Sequence, residues 1–540
     1  MADEGTRASP LAPMNSQGLF EIPIDIVGSN TYGRYPKINQ SQTFNMMISD
    51  GFLVDYAGFM FIQQIASSGE GRGDHTSTVF NRLYAVVGAE VVYFNEALVP
   101  QFVGNLTTTT GEVFIAENTA GQVAFSDGLH IYIYDQKTAI FSIAQSATQL
   151  TPTQTLIPLD FKPGFLSFQN TYFIVASLGT PEWRLSLPSN GLIWPTLPPY
   201  IGQLTTKPDT VQAVVPMPGR GNMTFVMGNT VAEQWTFTGG ALFPWTRNNS
   251  ISIDYGCINP SSIAYQGNYI VWVGISEEAG PVIMYTTGAD ITEVSTDGID
   301  YLFSTLKAPE DCSGFLVKLD GHLFYQLTFK TDKLTLALDL TNNKFFTITD
   351  ENENYHPARK IVFFNNTYYF VSFNDGNLYA FGTQFTTYQY QNMFGVIPRV
   401  RICSPIRLPS QRPLIFRSLG FTIEQGQPNF DNTTFPEYMI TEITEVRMLT
   451  EDGLNEMVTE NSFNSMSGTV TRNMEVFLAI SRDGGETYGN SVSLNMNLTG
   501  RRKSRFIFQR LGRANDFTAR LQFEGFSRYV VGPGEVLAYL

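Results

Sequence analysis

The densest chemistry in the sequence is cationic. Arg501, Arg502, Lys503, Arg505, Arg510 and Arg513 fall within thirteen residues. Guanidinium forks pair bidentately with carboxylate or phosphate, so this segment is able to meet an acidic partner or a phosphate backbone without reading base sequence. The plainer alternative is a solvated strand and turn whose cations are offset by nearby acids. Because the rest of the chain is acidic, a subunit or partner contact is favoured over direct DNA binding. Reversing Arg501, Arg502 and Arg505 to Glu is expected to leave folding intact and to block assembly.

The most specific short pattern is Ser481-Arg-Asp483-Gly-Gly485-Glu-Thr487-Tyr488. It matches the Asp-box S-x-D-x-G-x-T-aromatic, found on hairpin turns in sialidases and other β proteins. The expected role is structural: Asp483 and Thr487 bond the turn, Gly485 takes positive φ, Tyr488 packs beneath, and Ser481 opens the motif. A sialidase would also need an arginine cluster with a Tyr/Glu nucleophile pair, and usually several boxes. The four histidines, His75, His130, His322 and His356, are far apart in sequence, without a paired nucleophile motif. No G-x-S-x-G, Walker loop, H-E-x-x-H or C-x-x-C occurs. Cys257, Cys312 and Cys403 are too few and too scattered for a disulfide framework or a zinc cluster. A non-enzymatic protein with no catalytic residue, metal site or cofactor is expected.

The elements that carry these groups are strands. Of 540 residues only 15% are charged, against about 25% in a typical domain, while 13% are aromatic. Exposed helix faces need Glu, Lys and Arg, and disorder needs few aromatics, so the chain is all-β. Residues 1–18 lack any period and read as a flexible arm. From residue 19 to about 394 one theme recurs: a turn of Asn, Asp, Gln or Gly leads into an aromatic and β-branched strand. It starts at Asn81, Asp127, Gln169, Gly221, Gln266, Asp320 and Asn365, at intervals of 46, 42, 52, 45, 54 and 45 residues. Four short strands fit each interval, the signature of a β-propeller blade, so a propeller of six to eight blades is expected over residues 19–394. A set of ordinary sandwiches with regular turns is the alternative.

The texture changes after Phe394. Residues 395–420 carry Arg399, Arg401, Arg407, Arg412 and Arg417 and no acid. Pro398, Pro405, Pro409 and Pro413 interrupt the apolar runs, predicting edge strands or an extended crossing segment rather than central strands. Beyond them about five strands with alternating sides predict an antiparallel sandwich, the platform domain of residues 395–540. Charge divides at the same place: residues 1–394 hold 18 Lys and Arg against 34 Asp and Glu, and residues 395–540 hold 16 against 15. The amino terminus lacks the basic and apolar regions of a signal peptide, and no apolar run reaches ~18 residues. Synthesis in a reducing cytoplasm without membrane insertion is expected.

An ordered series of segments resembles the tail-hub proteins of short-tailed bacteriophages, also called nozzle or packaged-DNA stabilisation proteins. The middle carries it best: Phe225-Val-Met-Gly-Asn-Thr-Val-Ala-Glu233-Gln-Trp235, then Phe243-Pro-Trp245, then Gly256-Cys257, Ser261-Ser-Ile263 and Trp272. Phe44-Asn-Met-Met with Leu53-Val-Asp-Tyr-Ala-Gly58 is similar to the family's opening, with Ala57 where the family has Pro. Trp183 to Trp194, Asp483-Gly-Gly-Glu-Thr-Tyr488 and Gln509-Arg-Leu-Gly-Arg513 with Phe517 follow it further. The resemblance implies a virion tail protein made in the host cytoplasm, a homo-oligomer, commonly a hexameric ring, below the portal-adaptor (head-to-tail connector) ring. It would prolong the DNA channel, retain the packaged viral DNA, and carry tail fibres or spikes and a tail needle or plug. The competing reading is a carbohydrate-binding or glycosidase propeller with an Asp-box; a third is a soluble cellular propeller scaffold.

Overall fold

The computed structural model describes residues 19–34, 40–65, 69–149, 155–251, 253–288, 290–391, 393–408, 410, 412–425, 474–496, 503–525 and 528–539. Among these, strands form seven blades of four antiparallel strands, five of them separate sheets and two of them parts of larger sheets. Six come from continuous stretches: residues 71–105, 114–143, 163–203, 211–247, 264–293 and 312–347. Blade 7 joins Val362–Phe364, Thr367–Val371 and Leu378–Gly382 to Gly58–Gln63, a strand from the opposite end of the propeller sequence. That exchange closes the ring, so that no blade keeps an unpaired inner face. Gly71–Ser77 of blade 1 then packs against the first two strands of blade 7.

Blade faces meet in apolar layers. Leu83, Ala85 and Val87 of blade 1 pack with Phe364, Tyr369 and Val371 of blade 7. Tyr84 and Val86 on the opposite face meet Val123 and Phe125 of blade 2. Alternate residues of one strand therefore serve two different layers, as period-two strands must when both faces are buried. The hairpins that begin the recurring theme need left-handed residues: Asn170 and Thr171 have φ 47° and 77°, and Asn365 and Asn366 have φ 43° and 62°. Paired positive φ gives the turn twist that flanking strands require.

The expected propeller and sandwich are both present. One sandwich sheet runs Met46–Ser49, Phe52–Asp55, Tyr529–Tyr539, Leu414–Gln425, Lys503–Ala514, with Phe20–Ile24 also on Tyr529–Tyr539. The other contains Gln42–Phe44, Arg399–Ile402, Asp516–Glu524, Met474–Ser481 and Val492–Met496. It continues through the Phe44–Thr347 pairing into blade 6. A single ten-stranded sheet thus belongs to both units. Between the sheets lie Leu419, Phe421, Ile423, Leu478, Phe508, Phe517, Leu521 and Val536, all buried.

One expectation is corrected. Arg399–Ile402 and Leu414–Gln425 are central strands, each paired on both sides. Pro398, Pro405 and Pro413 lie between strands, so none removes a ladder donor, and the prolines punctuate the run without demoting it. Pro409 lies outside the described residues. Among the described residues no helix is long and apolar enough to cross a membrane.

Candidate contact surface

Lys503–Phe508 alternates in and out, and the alternation breaks at Gln509 and Arg510. Phe506, Phe508, Leu511 and Ala514 enter the core, while Lys503, Arg505, Arg510 and Arg513 face solvent. Pairing to Leu414–Gln425 slips between Phe416 and Ser418, and the irregularity is made by Arg510 at φ 61° with Gly512 at φ 90°. A bulge of this kind re-aims a side chain. Here Arg510 and Arg417 line one shallow cleft of about 730 Å³ with Leu19, Ile415, Gln509 and Tyr539. Arg513 lies opposite Ile415 in the ladder. Arg505 sits further along, 2.5 Å from Glu535, both exposed. Among the described residues the expected cluster therefore divides into a neutralised Arg505 and an Arg510 and Arg513 without an ion pair, with Arg417 beside Arg510 in the cleft. Arg501 and Arg502 lie outside the described residues.

The Asp-box is a self-contained turn. Asp483 accepts hydrogen bonds from the Thr487 amide at 3.0 Å, the Thr487 hydroxyl at 2.6 Å, the Glu486 amide at 3.0 Å and Ser481 Oγ at 2.5 Å. Gly485 donates to Ser481 Oγ at 2.8 Å and has φ 101°. The Ser481 and Thr487 hydroxyls hold the Asp483 carboxyl well below its ordinary range. Tyr488 is half-buried beside it. Every acceptor of Asp483 thus serves its own turn.

The arginines at the junction behave differently from those on the outer face. Arg399 and Arg401 are fully buried. Arg399 lies 3.2 Å from Asp55 and donates to the carbonyls of Thr386 and Gly525. Arg401 lies 2.9 Å from Asp25 and donates to the carbonyls of Asp25 and Ser29 and to Thr43 Oγ1. Both tie the amino-terminal strands to the junction. Burial raises Asp55 to about 6 despite the opposing pull of Arg399.

Two side-chain constellations were not visible as motifs. His322 lies between Asp339 (Nδ1 to Oδ2, 2.8 Å) and Ser49 (Nε2 to Oγ, 3.2 Å), a Ser-His-Asp order brought together from 290 positions of sequence. Ser49 ends a sandwich strand and His322 begins a blade 6 strand, and Asn342 donates to the Ile48 carbonyl beside them. No member of the trio lines either sandwich cleft. The trio latches the sandwich hairpin to blade 6. Separately, Glu112, before blade 2, pairs with Lys360, before blade 7, and accepts from Ser261, before blade 5. These blades are not neighbours, so the contact bridges the centre of the propeller. Among the described residues no group of His, Cys, Asp and Glu could hold a metal ion. Burial pushes the Cys257 and Cys403 thiols up to about 12.

The segment richest in recognisable residues is a structural node. Glu233 accepts from the amides of Thr205 and Thr206 at 2.8 and 2.7 Å and from Trp235 Nε1 at 2.9 Å. Burial alone would raise its carboxyl, yet the bonds from Thr206, Thr205 and Trp235 hold it below the usual range. Trp183, Trp235, Phe243 and Trp245 pack edge to face around it.

A family model described as bacteriophage P22 Gp10, beta-propeller, matches residues 32–386. A second, described as bacteriophage P22 Gp10, beta-sandwich, matches residues 444–537. No curated protein matches the sequence. Among solved structures the chain is similar to virginiamycin B lyase from Staphylococcus aureus, with TM-score 0.41 and 12% identity over 60% of this chain and 99% of that one. It is also similar to the N-terminal domain of Nup159, with TM-score 0.39 and 12% identity over 63% and 99%.

Proposed function

The chain belongs to the bacteriophage P22 Gp10 family, and on that footing we propose that it is the structural hub of a phage tail, assembled as a ring below the portal adaptor. In this reading it extends the DNA channel, retains the packaged genome and anchors fibres or spikes and a terminal plug. The observation that carries it is the two-unit match, propeller then sandwich, on a chain whose outer sandwich strand offers unpaired arginines. Rings place most subunit surface against other protein, which suits a chain whose cations are mostly Arg rather than Lys.

The bridge at the propeller centre supports a DNA path outside the individual propellers. Glu112, Ser261 and Lys360 span that opening, so the conduit runs between subunits rather than through any one propeller. The role is positional and not catalytic: the Asp-box is consumed by its own turn, and Ser49, His322 and Asp339 latch two units. Electron microscopy of the purified chain with its portal-adaptor complex tests the proposal. Rings docked on the adaptor support it. A monomer that ignores the adaptor and releases reducing sugar, or is retained on a glycan array, overturns it in favour of the carbohydrate-acting alternative.

A further inference from the structure

Among the described residues, two surfaces of opposite charge are only sparsely matched by counter-charge inside the chain. From Asn248 to Leu306 the sequence holds seven carboxylates and no Lys or Arg. Asp254 lies between blades 4 and 5, and the others fall on blade 5 and on the helix Asp297–Thr305 that follows it, with Asp254, Glu277, Glu293 and Asp297 exposed. Among the described residues one cation reaches them: Lys207 Nζ is 3.5 Å from Asp254 and 3.6 Å from Glu277. Glu293 is left among Asp297 and Asp300, and burial together with these like charges raises its carboxyl above the ordinary range. Like charges held this closely await a cation.

The cations are on the sandwich. Arg417, Arg510 and Arg513 are exposed on the outer face of one sheet, a face that the second sheet does not cover. Among the described residues none of the three makes an ion pair, whereas Arg505 on the same strand is matched by Glu535. The bulge at Arg510 and Gly512 fixes where the guanidinium group emerges, and the neighbouring cleft supplies apolar contact from Ile415 and Tyr539.

We propose that the Arg417, Arg510 and Arg513 end of the sandwich sheet docks head to tail on the acidic blade 5 and helix surface of a second copy of this chain. The proposal rests on the ring-forming reading above and names the two faces that build it. Guanidinium forks match carboxylates bidentately. Because the faces differ, every docked copy still presents one free face of each kind, and association continues until the rotation closes a ring. Duplex DNA would satisfy the arginines alone and leave the acidic surface uncompensated, while a second copy satisfies both.

The test uses the full chain at low salt, followed by sedimentation. One variant carries Arg417→Glu, Arg510→Glu and Arg513→Glu; the other carries Asp254→Lys, Glu277→Lys and Glu293→Lys. All six positions are exposed, and unchanged circular dichroism and melting curves establish that both variants fold. The wild-type chain is expected to associate. Each variant alone should associate on the order of a hundredfold more weakly, since like charges face each other across the contact. A one-to-one mixture should regain assembly, because each junction then pairs opposite charges again. Variants that associate like the wild type, or a mixture that stays monomeric, overturn the faces named here while leaving the ring reading standing. A wild-type chain that never associates with itself refutes that reading as well. Duplex DNA held by the arginines, with self-association unchanged by their reversal, assigns the face to phosphate and refutes the proposal.

Discussion

His356 offers a sharp test of how the ring is closed. Its side chain is fully buried, ringed by Phe59, Phe370, Phe381 and Tyr388. Phe59 belongs to the strand that completes blade 7. Nδ1 accepts the Ala358 amide at 3.2 Å, so the imidazole is neutral with its hydrogen on Nε2. Burial pushes its pKa from 6.5 down to about 3. The folded value lies below the unfolded one, so the associated stability is fully present above pH 6.5 and lost as pH falls toward 3. At pH 4 the loss is about 3 kcal/mol, and over the whole window about 5 kcal/mol. His356→Asn keeps an acceptor for Ala358 and removes the titration. Urea unfolding of both proteins at pH 7 and pH 4 should show the wild type losing about 3 kcal/mol more than the variant. Burial raises Asp55 to about 6 and Asp74 to about 7, with the opposite slope, but both proteins share them and the difference cancels their effect. Equal pH dependence in the two proteins, or a His356 ring resonance that titrates near 6.5 in the folded chain, would refute the reasoning.

Further outcomes are expected elsewhere. Arg399→Met leaves Asp55 buried without its counter-charge, and urea melts should lose about 3–5 kcal/mol; adding Asp55→Asn should recover much of it. Gly58→Ala would place a Cβ 2.6 Å from the carbonyl oxygens of Phe385 and Thr387, so the closing strand must shift, at a cost of about 1–3 kcal/mol read as a lower melting temperature. Ser49 should resist a fluorophosphonate probe, because its hydroxyl serves a latch; labelling that disappears in His322→Ala would establish a nucleophile instead. Charge reversal of Arg501, Arg502 and Arg505 should leave the circular dichroism spectrum unchanged and stop tail assembly in an infection complementation assay.

The propeller was readable because its strongest signal is local. All seven recurring starts found in the sequence fall in different blades, six of them at the second strand. That strand is buried on both faces, so it is aromatic and β-branched, and the turn before it needs residues that tolerate positive φ. In blade 2 the start at Asp127 leads into the third strand, Ile131–Asp135, because Gln122–Ser126, of equal length, is the less aromatic of the two. What stayed hidden depends on sequence-distant pairing. Nothing in Gly58-Phe-Met-Phe-Ile-Gln63 says that it completes a blade begun at residue 362. Strands at 20–24 and 52–55 likewise carry no mark of their pairing with 529–539. The same holds for the arginines. Composition shows Arg399, Arg401, Arg417, Arg510 and Arg513 as one basic texture, whereas burial divides them into interior braces and exposed contacts.

That division changes what sparse charge means in this protein. A buried guanidinium requires a partner; Arg399 finds its counter-charge in Asp55 and hydrogen bonds in the carbonyls of Thr386 and Gly525, and Arg401 finds both in Asp25, Ser29 and Thr43, which makes them fasteners of the junction. Arg72 does the same inside the propeller, donating to the carbonyls of Gly88, Thr108, Thr110 and Gly111 and thereby fixing the loop that carries Glu112 to the centre. With several cations committed to the interior, few remain to neutralise the acidic propeller surface. The sparsely matched carboxylates around blade 5, reached among the described residues by Lys207, and the arginines of the sandwich without ion pairs then arise from one cause. A chain that holds itself together with buried arginines keeps its outer charges segregated, and segregated charge is what distinguishes one face of a repeating subunit from another.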